Sequence, residues 1–221
     1  MEFMALPGLE RLMEVCQRLS LRLETLPPAR EPVKAGCLLE GLPFDPVLAS
    51  VYARLGRARF ATELVAAGWG LEHSDDQVHE LKEENKRWRE RWWEELGEPM
   101  IVFGGDLYIY ATVPRLADDR GRQPVVRVDT YEEPYVLPVA SNVDRFFDSY
   151  SRYVEALVAS PEYRTERESS FLFPWHVTDI LARDERLVEL MRSRRFDELM
   201  KNMKTVEDVR HWFEKVCGAP L

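Results

Sequence analysis

At 221 residues, 45% of them hydrophobic, the chain can bury a sizeable core without disulfides or metals, which excludes disorder as a description of the whole. No apolar run reaches the roughly 18 residues needed to cross a bilayer, and the opening stretch, with Glu10, Arg11 and Glu14, lacks the basic start and apolar core of an export signal. A net charge of -9 argues against broad contact with nucleic acid, where binding needs a basic surface. The expectation is a water-facing cytoplasmic protein whose partner, if charged, is basic.

Leu9, Leu12, Met13, Cys16, Leu19 and Leu23 recur at steps of three and four, predicting an amphipathic helix that stops before Leu26-Pro27-Pro28. A linker follows to about Gly41. Pro46 suits a first helical turn, and Val47, Leu48, Val51, Tyr52 and Leu55 predict a second helix ended by Gly56. Ser74 and Gln77 have the spacing of a capping box, with Asp75 and Asp76 at the positive end of the helix dipole. The long polar helix they open runs through Leu81, Asn85, Trp88 and Trp92 to Leu96, where Gly97 and Pro99 break it.

Met100 to Phe103, a turn at Gly104-Gly105-Asp106, and alternation from Leu107 to Val113 predict a hairpin. In the strand from Pro124 to Thr130, Val125, Arg127 and Asp129 alternate with Val126 and Val128, so one side reads as apolar and the other as charged. A further strand is expected at 135–139. Ser141 and Asp144 are read as caps of the next helix, which carries Val143, Phe146, Phe147, Tyr150, Val154 and Leu157 on one face up to Ser160-Pro161. Phe171 to Trp175 reads as a buried turn or short strand. One broken helix or two consecutive ones follow over 178–203, and Thr205 and Asp208 cap a last helix. Helices, then a cluster of short strands, then helices again predict an α+β fold.

Reactive chemistry is sparse. His73 and His79 are six apart and share no helical face, and no His-Glu-x-x-His or Cys/His cluster appears, so no metal site or cofactor is expected. Cys16, Cys37 and Cys217 are widely spaced and read as reduced small core residues. Gly104-Gly105-Asp106 lacks the surrounding glycines and lysine of a phosphate loop and reads as a turn, and Ser169-Ser170 has no visible partner base. The acid pairs Asp75/Asp76, Asp118/Asp119 and Glu132/Glu133 read as solvated surface, because sequence neighbours point apart. No catalytic residue is expected.

Six tryptophans and eight tyrosines carry the remaining signal. Trp88 and Trp92, one helical turn apart, read as core packing, whereas Trp93 projects away from them as a candidate surface anchor. Tyr108, Tyr110, Tyr131 and Tyr135 cluster around the strands beside Asp106, Asp129, Glu132 and Glu133. Strand alternation leaves some of them facing solvent, either as an acidic and aromatic surface suited to a basic protein or as ordinary exposed strand residues. The candidate partner-binding set is Asp106, Tyr108, Asp129, Tyr131, Glu132, Glu133 and Trp93.

The succession Trp69-x-Leu71, a capped helix with Glu80-Leu81 and Asn85, Gly104-Gly105-Asp106-Leu107-Tyr108, Val125-Val126-Arg127-Val128-Asp129, and Val139-Ala140-Ser141 before a Phe-rich helix resembles the SUKH superfamily, which includes the Smi/Knr cell-wall-regulator type. A Leu42-Pro43 before the second helix fits the same pattern, while the usual Gly-Gly after that helix is not recognisable in 57–66. The resemblance spans roughly Leu6 to Leu157 and implies a small twisted, mainly antiparallel sheet flanked by helices in a SUKH-like domain over 1–160; the helical region over 161–221 lies outside the family pattern and is expected to pack on that domain as an extension. For bacterial members it implies an immunity protein that occludes a cognate toxin, frequently a nuclease. The alternatives are a Smi/Knr-type interaction scaffold and, further off, a small-molecule binder or enzyme. Oligomeric state is open.

Overall fold

The computed structural model describes residues 4–62, 66–70, 77–105, 108–130, 134–165, 171–200 and 207–218, with the side chains of 66–70, Gln77, Trp93 and Glu94 outside the description. Helices α1 (Pro7–Arg18), α2 (Pro46–Tyr52), α3 (Gln77–Leu96) and α4 (Val143–Ala159) flank a seven-stranded antiparallel sheet, and the short helices α5 (Pro161–Thr165), α6 (Thr178–Leu181) and α7 (Glu185–Arg192) with α8 (Glu207–Cys217) follow. The sheet comprises β1 (Arg22–Leu26), β4 (Arg57–Ala61), β5 (Ala66–Gly70), β6 (Ile101–Gly105), β7 (Ile109–Thr112), β8 (Val125–Asp129) and β9 (Tyr135–Ala140), in that spatial order. A separate ribbon pairs β2 (Leu38–Leu39) with β3 (Leu42–Pro43). Its turn has positive φ at Glu40 (52°) and Gly41 (83°), the two-residue geometry that matches strand twist. The fold is α+β, as the element order predicts.

The first helix is shorter than its leucine spacing suggests. It ends at Arg18, Leu21 donates its N–H to the Cys16 carbonyl, and the chain enters β1, where Leu23 meets the core from a strand. β1 pairs with β4, in which buried Ala58 and Phe60 alternate with Arg57 and Arg59. The predicted capping box at Ser74 lies outside the described residues. The helix below it packs on Leu81 and Trp88, both buried, and Asn85 seals it to β6 by accepting from the Val102 N–H (2.8 Å) and donating to the Val102 carbonyl (3.1 Å).

At α4 the cap differs from expectation. Asn142, not Ser141, accepts from the Asp144 and Arg145 N–H groups. Asp144 instead reaches across to α1, accepting from Gly8 (2.9 Å) and Leu9 (3.2 Å), whose amides are unpaired within their own first turn. The α1–α4 contact is close because residue 8 is glycine: a Cβ there would lie 2.0 Å from the Asp144 carbonyl oxygen.

One hydrophobic cluster runs from Leu6 to Cys217. Its centre is aromatic. Phe146, Tyr150 and Tyr153 of α4 meet Tyr110 of β7 and Phe173, with ring centroids 4.6 to 6.4 Å apart. Each fully buried ring of this kind stabilises by roughly 2 kcal/mol. The turn at 171–175 is buried at Phe173 and fixed at Pro174, whose carbonyl accepts from the Trp212 indole N–H of α8 (3.1 Å). Trp175 in turn meets Tyr135 and Trp212. The C-terminal helices therefore share the core of the sheet. β9 closes one edge of the sheet, where its Pro138 is tolerated, and α7 packs against it.

Candidate functional site

All five residues of β8 are buried, Arg127 and Asp129 included. The expected division of this strand into an apolar and a solvent-facing charged side is thus corrected: the 171–175 turn covers the charged side. Arg127 is 2% exposed and lies in a box of neighbours. Its guanidinium stacks 3.5 Å above the Tyr108 ring, donates Nη2–H to Asp129 Oδ2 (3.1 Å), and donates Nη1–H to the Phe173 carbonyl (3.3 Å). Its Nε is buried without a hydrogen-bond partner among the described residues. Tyr135 donates its hydroxyl to the same Asp129 oxygen at 2.9 Å. Burial first, and that hydrogen bond second, push the Tyr135 phenol up to about 12, so it is a fixed donor at any physiological pH. Burial likewise raises Tyr153 to about 12.

The box forms because a strand places i and i+2 on one face, which aligns Arg127 with Asp129. Cross-strand register does the rest, setting Tyr110 and Leu137 opposite Arg127 and Tyr135 opposite Asp129. Sequence reasoning missed Arg127, Tyr135 and Phe173 as one unit. The available signal was an Arg and an Asp inside a valine strand, where a charged residue flanked by buried positions needs a partner.

Of the candidate binding residues, Tyr108 is half-buried beneath Arg127, and Asp129 is inside the protein rather than at the surface. Trp93 lies on α3 with its side chain outside the description, and Asp106, Tyr131, Glu132 and Glu133 lie outside the described residues. The strand ends that flank them are described. β6 and β8 run in the same direction because both are antiparallel to β7, and Gly105, Ile109, Val128 and Val136 form one register row. β6 and β8 therefore both end, and β7 and β9 both begin, at the same end of the sheet, the end that holds the buried Arg127–Asp129–Tyr135 box.

Elsewhere, two adjoining clefts of about 730 and 440 Å³ lie beside the start of α4, and a more apolar pocket of about 430 Å³ sits between α2 and residues 30–35. Among the described residues no three His, Cys, Asp or Glu side chains are grouped to hold a metal ion. The three cysteines are free thiols, and burial pushes Cys16 up to about 11, away from the reactive thiolate. No described helix is long and apolar enough to cross a membrane.

The chain matches no protein-family model, no curated protein and no solved structure.

Proposed function

We propose that this protein is a SUKH-type immunity protein, which binds a basic bacterial toxin domain such as a nuclease and neutralises it by stoichiometric occlusion, without chemistry of its own. One observation carries the reading. β6 and β8, both antiparallel to β7, end at the same end of the sheet, and the sequence that follows them is acidic and aromatic, with Asp106 after β6 and Tyr131, Glu132 and Glu133 after β8. Residues of this kind suit a basic partner, because acid groups steer its approach and aromatic rings provide contact area. The antiparallel sheet flanked by helices agrees with what the motif order implies, and the net charge of -9 favours the same class of partner.

The test is a pull-down of expressed neighbouring gene products with this protein as bait, repeated at high salt and with Glu132→Lys/Glu133→Lys. Capture of one basic toxin domain, with its activity blocked at 1:1 stoichiometry and its binding weakened by salt and by charge reversal, is the expected result. Several regulatory partners and no toxin would replace immunity by a Smi/Knr-type scaffold role.

A further inference from the structure

The smaller cleft beside α4 has a different character from the rest of this acidic protein. Arg122, Arg145, Arg183 and Arg186 line it, contributed by three separate parts of the fold: the loop before β8, the first turn of α4, and the start of α7 with the residues just before it. The carboxylates at the same place are largely committed. Asp118 accepts from the Arg120 and Arg122 backbone N–H groups and from the Arg122 guanidinium. Asp184 caps α7 through the Leu187 N–H (3.1 Å) and accepts from the Ser141 N–H (2.7 Å), which pins the starts of α4 and α7 to each other. Glu185 is the remaining acid on the wall.

The three outer guanidiniums have little to hold them. Arg145 is exposed and has no ion pair among the described residues. Arg183 reaches Asp179 only at 3.9 Å, and Arg186 pairs with Glu189, with all four side chains more than half exposed. Exposed pairs of this kind are weak and exchange readily. Two helices, of 17 and 8 residues, also begin at this wall and add the positive ends of their dipoles.

We propose that this cleft is a binding site for a compact phosphate-bearing anion. Guanidinium forks match phosphate oxygens two at a time, and about 440 Å³ accommodates a di- or triphosphate group. On a chain of net charge -9, anions are otherwise repelled, so binding concentrates where Arg145, Arg183 and Arg186 converge beside the Asp118-paired Arg122. The site is independent of the sheet end assigned above to a protein partner.

Isothermal titration of the full chain with inorganic tripolyphosphate, at constant ionic strength and without divalent metal, tests it. The expected result is saturable 1:1 binding, weakened at least about tenfold by Arg145→Ala/Arg183→Ala and unchanged by Arg87→Ala on α3. Both replaced side chains are exposed, and an unchanged circular dichroism spectrum and melting curve would verify that the double variant folds. A nucleoside triphosphate in parallel distinguishes the source: tighter binding assigns a nucleotide, equal binding the phosphate chain alone, and either supports the site. Absence of saturable binding, or binding indifferent to the double variant, overturns it.

Discussion

Arg127 and Asp129 form an ion pair at 3.1 Å inside the protein, two residues apart on β8 and closed off by the carbonyl of Phe173, which lies 46 residues beyond Arg127. The pair ties the C-terminal turn to the central sheet. Removing one partner leaves an uncompensated buried charge, which costs about 3–5 kcal/mol, whereas replacing both by apolar groups of similar volume restores much of that. Asp129→Leu is therefore expected to lower stability in urea unfolding by about 3 kcal/mol or more, and Arg127→Met/Asp129→Leu to recover at least half of the loss. Additive losses in the double variant would show that the charges act independently.

Gly8 makes the α1–α4 approach possible. Gly8→Ala places a Cβ against backbone that cannot yield as a side-chain tip would, and is expected to cost about 2–3 kcal/mol despite alanine's better helix propensity. Asp144→Ala removes the cap over the Gly8 and Leu9 amides and is expected to cost about 1 kcal/mol. Thermal melts of the two variants, ranked against wild type, check the order; a stabilised Gly8→Ala would refute the close contact.

Asp45 is fully buried, capping α2 through the Leu48 N–H (2.7 Å) and accepting from the Gln123 N–H (2.6 Å). Burial pushes its carboxyl up to about 6, against the opposing pull of those backbone donors. Its folded value lies above its unfolded value of 3.8, so the native state holds the proton more tightly. The resulting stabilisation is complete below about pH 4 and is lost as pH rises through about 6. The stability difference between wild type and Asp45→Asn should therefore shift in favour of the variant between pH 4 and 7, by up to about 3 kcal/mol. A difference that is flat with pH would mean that Asp45 stays ionised throughout.

The three thiols differ in access. Cys16 and Cys217 are buried and Cys37 is half-buried. A thiol reagent added to the native protein should modify Cys37 first and the other two only on unfolding. Fast native modification of Cys16 would contradict the α1 packing.

Local signals in the chain determined most elements. Pro46 and the apolar spacing after it mark α2, Gly97 and Pro99 end α3, and the valine and tyrosine alternation over 107–139 marks three strands, because these depend on backbone preferences and on burial patterns within one element. The region 57–70 was not legible as a strand pair, since Arg-Ala-Arg-Phe-Ala is short and half charged and becomes a strand only when β1 pairs with it. Leu23 reads as a position of the first helix because helical and strand positions both tolerate it; the turn at Ser20, at φ 55°, separates the two elements.

The candidate site divides in the same way. The acid and aromatic content of 106 and 131–133 is plain in the sequence, and so is the placing of Arg127 and Asp129 on one strand face. That this face is inside the protein follows from Phe173 and Trp212, residues far along the chain whose position depends on packing that no local pattern encodes. The same holds for the arginine cleft: its four guanidiniums are scattered from 122 to 186 and converge only because Asp184 holds α7 to the start of α4. Composition and periodicity set which segments form, because those signals act within one element, while contacts between distant segments decided which charges meet water and which meet each other.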